Sequence, residues 1–514
     1  MRVLIGVCLL AAGGARAQEA DDAGLDLRGP AQDTARPGVD PEPLAAPPPV
    51  ASSGSVLAGQ NYGRPKKLVP KPPLPLRRGA RALPPLQPYK GAVRPRGTAT
   101  GRPDADGELA PNIAAVPAPI VKPRPRVDEK PFEPLGVNVG SLRLRPYVET
   151  GLGYDSNPNR TAPPVKGSGF LRLDAGLDVV SDFSSNSLTA SLRGGYSDYF
   201  SVSSANRPDA VGVVDGRLDV TRDLSLNAEG RFAIETQRPG SPNLQTGIAN
   251  AFVVGRPLIT SYGGTLGIAD QINRLGLSLR GSVDRTDYAD ARLSNGGVLA
   301  LSGDSFFDPA IKARASYEVT PGLIPFIEVG ADTRLHDRTI DSSGFARNSV
   351  GETAKLGATF EFTRLLTGQA DVGFTHRTYD DKRLRNVNGP LADASLAWAV
   401  TPLTTVTLKG ATAFDETMVP GASTAETRRV SLEVAHALFR NVTLTAIGSF
   451  QTTNYLGAAP RLVENSYAAG LKAEYALNRN VVLKASYSHE QLHSTAQNAS
   501  YAADVLLVGV RLQP

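Results

Sequence analysis

Residues 187–197 read SLTASLRGGYS, and this stretch decides the fold. Apolar side chains or glycine fall on every second position from Leu188 to Tyr196, with hydroxyl groups, Arg193 or glycine between them. Residues 224–235, LSLNAEGRFAIE, repeat the pattern with charged residues at alternate positions. Successive side chains of a strand point to opposite faces, so each stretch predicts a strand with one apolar and one polar face.

The same alternation continues to the end of the chain, interrupted in turn by short turns and by long polar loops. This rhythm is typical of an antiparallel up-and-down transmembrane β-barrel. We therefore predict an all-β barrel of 18 strands over residues 138–514. The predicted strands are 141–154, 168–182, 187–200, 209–221, 224–236, 257–272, 275–288, 306–320, 323–337, 350–363, 366–379, 391–400, 403–414, 427–438, 441–455, 464–477, 480–490 and 501–512.

Two other classes of protein fit less well. A soluble β-sandwich would share an apolar core between two sheets and would not show the long–short rhythm of loops. A helical membrane protein needs about 18 consecutive apolar residues. No stretch beyond the first few residues supplies them, and the mean hydropathy of the chain is −0.17.

The N-terminus has the pattern of an export signal. Arg2 precedes a short apolar run, and Ala15-Arg16-Ala17 matches a small-x-small cleavage site. We predict a signal peptide over residues 1–17. The only cysteine, Cys8, lies within it, which excludes a disulfide framework and a cysteine-based zinc site. Export also argues against a nucleic-acid partner.

Residues 18–137 are rich in proline and poor in aromatic residues, which predicts a disordered, locally extended periplasmic segment. Within it, residues 51–100 carry ten Lys or Arg residues and no Asp or Glu. The segment is either a solvated spacer or a tether for polysaccharide, another envelope polyanion or a periplasmic component. The candidate contacts for a polyanion are Arg64, Lys66, Lys67, Lys71, Arg77, Arg78 and Arg81.

Charged residues occupy the polar face of the predicted strands, and they are almost balanced in sign. They predict either a ladder of cross-strand ion pairs or a hydrated pore of mixed polarity, and the two are compatible. The candidate lumen-lining residues are Arg172, Asp174, Arg193, Asp215, Arg217, Glu229, Arg231, Lys312, Arg314, Glu318, Lys355, Glu361, Lys409, Arg429, Glu433, Lys472, Glu474 and Lys484.

Aromatic residues recur near the strand ends that meet the long loops, which predicts one interfacial girdle at that end. Its expected members are Tyr154, Phe170, Tyr199, Tyr288, Phe306, Tyr379, Phe414, Tyr455 and Tyr501.

One catalytic motif occurs, in residues 489–493, which read HEQLH. The H-E-x-x-H zinc site requires a helix that brings both histidines onto one face around the metal. The residues before His489 alternate as in a strand, where positions four apart are separated by about 13 Å. We therefore predict a strand end that runs into a loop, with no metal, cofactor or catalytic site.

The first predicted strand ends in residues 151–158, GLGYDSNP, and the chain closes with LVGVRLQP. With the proline-rich leader, these segments resemble the family of outer-membrane β-barrel porins associated with exopolysaccharide gene clusters in proteobacteria. The resemblance covers roughly residues 138–514. It implies a location in the outer membrane, in contact with its lipid, and a part in polysaccharide export or retention.

Three functions remain open on the sequence. The chain is a passive channel or export portal, with exopolysaccharide as a candidate cargo. Alternatively, it is a non-conducting structural or surface-interaction barrel whose basic tail holds envelope polymer. An outer-membrane enzyme is the weakest of the three, because no acid–base or nucleophile constellation occurs near the strand ends. The sequence does not indicate the oligomeric state.

Overall fold

The computed structural model describes residues 132–244, 251–363 and 365–514. The predicted signal peptide and the basic residues of the tail lie outside them. The barrel strands are β1 Leu142–Asp155, β2 Ser168–Ser181, β3 Ser187–Tyr199, β4 Arg207–Asp219, β5 Leu224–Thr236, β6 Leu258–Ile272, β7 Leu275–Tyr288, β8 Phe306–Tyr317, β9 Leu323–His336, β10 Ser349–Thr363, β11 Leu366–Tyr379, β12 Val387–Thr401, β13 Thr404–Asp415, β14 Thr424–Phe439, β15 Val442–Leu456, β16 Leu462–Ala476, β17 Val481–Ser494 and β18 Tyr501–Leu512.

Each barrel strand pairs antiparallel with its neighbours in chain order, and the ring closes between the first and last strands. In that closure, Val148–Asp155 of β1 align with Val505–Leu512 of β18. The short strand Val137–Val139 folds back onto the start of β1. The prediction of an antiparallel 18-strand barrel is confirmed.

Four predicted strands, β5, β7, β11 and β18, have the bounds that the alternation gave. The largest differences are that β12 begins at Val387 rather than 391 and that β17 ends at Ser494 rather than 490. In both cases the strand extends further toward the long loops. Polar outward residues such as Asn388 and His493 continue these strands, and they obscure the alternation by which a strand is recognised.

Short turns lie at one end of the barrel, the short-turn end, and long loops at the other, the long-loop end. Two residues join β6 to β7, and Asn273 there adopts a left-handed φ of 56°. The connection from β5 to β6, residues 237–257, is among the longest. Short strands in two long loops, Val253–Val254, Ala291–Leu293 and Val298–Leu299, form a separate three-stranded sheet.

The two faces of the barrel wall differ sharply in exposure. On β16, Leu471 is 62% exposed, whereas the next residue, Lys472, is 5% exposed. The same contrast recurs around the ring, with apolar side chains on the outer face and charged side chains on the inner face. This is the pattern of a barrel that contacts lipid outside and encloses a polar interior. Within the described residues, no helix is long and apolar enough to cross a membrane.

The predicted aromatic girdle is wrong in its members. Of the nine residues, Tyr154 is exposed and Tyr288 is half-buried, whereas the other seven are buried. The position of these residues near the strand ends was predicted correctly. However, most of them fall on the same alternate positions as the inward-facing charged residues. Tyr199 and Arg193 on β3 are an example. Besides Tyr154, exposed aromatic residues in the half of the wall nearer the long-loop end include Tyr196, Phe200, Phe232, Tyr262, Phe307, Phe374, Phe450, Tyr467 and Tyr487.

Candidate pore and its loop-covered mouth

The predicted lumen residues differ in burial. Arg172, Arg314, Lys355, Lys472 and Lys484 are buried, whereas Asp215 and Glu361 are exposed. The half-buried ones are Asp174, Arg193, Arg217, Glu229, Arg231, Lys312, Glu318, Lys409, Arg429, Glu433 and Glu474.

Arginines on the inner wall bind carboxylates of neighbouring strands. Arg172 on β2 pairs with Asp174 at 2.6 Å and with Asp209 on β4. Arg231 on β5 pairs with Glu229 at 2.8 Å and with Asp284 on β7 at 2.6 Å. Each guanidinium therefore joins two acids and spans an intervening strand. Neither Asp209 nor Asp284 was among the predicted residues, although both have inward parity.

A second group of pairs lies near the closure of the ring. Lys484 on β17 contacts Glu149 on β1 at 2.9 Å and Glu474 on β16 at 3.1 Å. Arg511 on β18 contacts the same Glu149 at 3.1 Å. On the other wall, Lys355 pairs with Asp393 at 2.6 Å. Ion pairs between strands thus recur along the inner wall. Because each of them joins a cation to a carboxylate, the net charge of the wall is small.

At the long-loop end, buried arginines hold the loops to the wall. Arg160, in the loop after β1, pairs with Asp155 at 2.8 Å and with Glu490 of β17 at 2.7 Å. All three residues are almost fully buried. Burial opposes the charge of Arg160, but Glu490 and Asp155 outweigh it and raise its pKa. Glu490 lies 330 positions from Arg160, so the loop sequence alone did not reveal this pair.

The loop from β5 to β6 reaches across the mouth. Arg238 at its start pairs with Glu464 of β16 at 2.6 Å and donates to the carbonyl of Ala499 at 3.0 Å. Further along, the Asn243 amide oxygen accepts hydrogen bonds from the Thr417 hydroxyl at 2.9 Å and the Met418 amide at 3.2 Å.

This contact joins opposite walls. Thr417 belongs to the loop that follows β13, which is eight strands away from β5 in a ring of 18. Beside it, Leu244 packs in an apolar cluster with Val253 and Leu293, and Met418 lies against that cluster. Loops from both walls therefore meet over the interior.

The loop 416–423 is itself held by buried charges. Arg334 of β9 is fully buried and contacts Glu416 at 2.7 Å, and His336 and Arg347 lie 3.9 Å from the same carboxylate. Arg347 also donates to the carbonyl of Ala422 at 2.8 Å. Burial opposes ionisation of Glu416, but the neighbouring cations, Arg334 foremost, outweigh it and lower its pKa to about 2. Glu416 therefore stays ionised at neutral pH.

The HEQLH motif lies wholly within β17, so the predicted strand is right, whereas the predicted run into a loop is wrong. Glu490 is buried and forms an ion pair with Arg160. His489 has the opposite parity, and its Nδ1 lies 2.8 Å from Asp504. A strand places the two histidines and the glutamate on opposite faces, which cannot assemble the zinc site. Within the described residues, no group of three acidic, histidine or cysteine side chains could hold a metal ion.

A closed 18-strand barrel with a charged inner wall and an apolar outer wall is the architecture of an outer-membrane porin. The family model described as "Putative beta-barrel porin 2" matches residues 130–514. The chain belongs to this family. A comparison with curated protein sequences gives no match.

Several solved structures show similarity to this porin family member. OccK2 (OpdF) of Pseudomonas aeruginosa is 11% identical, with a TM-score of 0.38 over 72% of this chain and 98% of that one. The siderophore receptor PiuA of Acinetobacter baumannii is 10% identical, with a TM-score of 0.38 over 74% and 82% of the two chains. The copper transporter OprC is also 10% identical, with a TM-score of 0.41 over 74% and 81%.

Proposed function

We propose that this barrel is a passive channel for small hydrophilic solutes, narrowed at its long-loop end by loops that meet across the mouth. The observation that carries the proposal is the contact between Asn243 and Thr417, which joins loops from opposite walls. An 18-strand ring is wide enough for an aqueous channel unless its loops fold inward. Here the loops set the restriction, and the charged wall below it supplies a hydrated path.

The inner wall favours no single sign of solute. Several of its arginines and lysines are held by carboxylates, as Arg231 is by Glu229 and Asp284. A pore that selects a strongly anionic polymer would be expected to carry an excess of cations. Export of exopolysaccharide, the cargo suggested by the family resemblance, would in addition require Arg238 and Asn243 to release their partners across the mouth.

The experiment is conductance of the purified full chain in planar lipid bilayers. We expect stable single-channel steps with weak preference between small cations and anions. A barrel that is correctly folded, as judged by heat-modifiable migration in detergent gels, and that gives no conductance steps would contradict the channel.

A non-conducting structural barrel is the second candidate, and the interlocked loops favour it as well. In that case the basic residues 51–100 would hold envelope polymer. Deletion of residues 18–137 behind an intact signal separates the possibilities. A truncated barrel that assembles with unchanged conductance but loses salt-dependent association with the envelope would support the tether. Increased conductance would instead identify the segment as a plug.

A further inference from the structure

The ladder between β12 and β13 stops short of the long-loop end. Register pairs join Ala394–Thr401 to Thr404–Gly410, and the seven residues 387–393 of β12 have no partner on β13. Residues 411–415 of β13 likewise pair only with β14. No other neighbouring pair of barrel strands in the described chain leaves so long a stretch unpaired at this end. We call this gap the β12–β13 wedge.

Side-chain hydrogen bonds take the place of the ladder in the wedge, including one from the Thr412 hydroxyl to the carbonyl of Ala392 at 3.4 Å. The carbonyl of Phe414 accepts a hydrogen bond of 2.7 Å from Arg334, which reaches it from β9, four strands away. Arg334 also binds Glu416 just beyond β13. On the wedge side, the Asp393 carboxylate accepts the amide of Thr412 at 3.2 Å in place of a ladder bond. The end of β13 is thus held by Arg334 on one side and by side-chain bonds to β12 on the other.

Phe414 fills the wedge. It has the same parity as Leu408, which is exposed on the outer face, yet Phe414 is 8% exposed. Its ring lies against the backbone of Gly389 on β12, where an added Cβ would come within 2.3 Å of the ring. Behind it, Leu384, Val387, Leu391 and Tyr379 complete a buried apolar cluster.

The wedge lies beside lipid-facing wall. Phe374 on β11 pairs with Pro390, which belongs to the stretch of β12 that has no partner on β13. The Phe374 side chain is 53% exposed on the outer face. An apolar cluster therefore separates the bilayer from the mouth, and the ring of Phe414 together with the side-chain bonds of Thr412 stands in place of a backbone ladder. A ring that rotates costs far less than opening a paired strand, because no backbone groups lose partners.

We propose that the β12–β13 wedge is a lateral port, closed by Phe414, through which small apolar solutes pass between the loop-covered mouth and the bilayer. This route is distinct from the aqueous channel. Its lining of leucine, valine and aromatic side chains fits hydrocarbon-like or aromatic molecules and offers little to a hydrated solute.

The test compares entry of the apolar fluorophore N-phenyl-1-naphthylamine into cells that produce the full chain or its variants. Phe414→Ala is expected to speed entry several-fold, and Phe374→Ala, an exposed aromatic residue on the neighbouring strand, is the matched control. Gly389→Ala should act like Phe414→Ala, because it leaves no room for the ring. Heat-modifiable migration establishes that each variant folds.

A reversal experiment uses Phe414→Cys. Modification of this cysteine with a membrane-impermeant sulfonate thiol reagent should place a charge in the wedge and return dye entry to the wild-type rate. Single-channel conductance should change little in any variant. Equal dye entry for the Phe414, Gly389 and Phe374 variants would overturn the port. So would a rise in conductance by the same factor as dye entry, because the wedge would then belong to the aqueous mouth.

Discussion

Asn243 and Thr417 stand 174 positions apart in the chain, in loops that start from opposite sides of the barrel, and a hydrogen bond of 2.9 Å joins their side chains. The Met418 amide shares the same acceptor. Two loops that start from opposite walls are therefore tied at a single amide oxygen.

Removal of this tie should widen the channel. In Asn243→Ala the Thr417 hydroxyl and the Met418 amide lose their acceptor, at a cost of about 1–3 kcal/mol. We expect larger or noisier single-channel steps in planar bilayers. Asn295→Ala, in the exposed tip of another long loop, is the control and should leave the conductance as in the wild type. Identical traces for both variants would show that these loops do not restrict the flow.

Arg334 should matter far more than an exposed arginine in a comparable pair. Arg334→Ala leaves Glu416 buried without its main partner, which typically costs about 3–5 kcal/mol. Arg383→Ala breaks the exposed pair with Asp381, and solvent-exposed pairs of this kind contribute little to stability. Protease cleavage within 416–423 should accelerate in the first variant and not in the second. Equal cleavage rates would contradict the anchoring role of Arg334.

An arginine introduced on the outer face of β14 should affect assembly of the barrel differently from one introduced on the inner face. Leu432 is 44% exposed on the outer wall, and Ser431 beside it has inward parity. An arginine on the lipid face near the midplane costs about 2–4 kcal/mol, so Leu432→Arg should reduce assembly of the barrel. Ser431→Arg should assemble normally. The measurement is the fraction of heat-modifiable protein in the membrane, and equal fractions would argue against lipid contact at Leu432.

The loop from β7 to β8 should have a pH-dependent stability of unusual sign. Burial and the nearby Asp341 raise the pKa of Asp304 to about 6, against the opposing charge of Arg347. An aspartate in an unfolded chain titrates near about 3.9. The contribution of Asp304 is therefore full below that value and is lost as the pH rises through about 6.

Asp304→Asn, which cannot ionise, should thus slow hydrogen exchange at residues 301–305 relative to the wild type at pH 7.5, with little difference at pH 4. Asp290→Asn in the same loop is the opposite-sign control. The pKa of Asp290 is lowered by the amide of Ser302, so its stabilisation is present at neutral pH and is lost in acid. A pH-independent difference for Asp304→Asn would contradict the assignment.

The alternation of residues was sufficient to predict the wall of the barrel, because in a strand the period of two is set by local geometry. Leu471 could be assigned to the outer face and Lys472 to the inner face without knowledge of any distant contact. The aromatic residues were assigned to the wrong face because the prediction used only their position along the strand. It did not use the alternation, which places Tyr199 on the inward-facing positions. The covered mouth could not be predicted at all. Arg238 and Glu464 form their pair across 226 positions, and nothing in the sequence around either residue specifies the other.

The closure between β1 and β18 makes assembly of this barrel a strongly non-local event. The ladder that joins Asp155 to Val505 brings together segments separated by almost the whole described chain. Contacts of such long sequence separation form late and slowly, because the loop entropy must be overcome before they contribute. Until β18 arrives, Val148–Asp155 of β1 have one edge unpaired, which a bilayer does not tolerate. Membrane insertion is therefore expected to await the last strand, and the chain needs protection from aggregation in the interval.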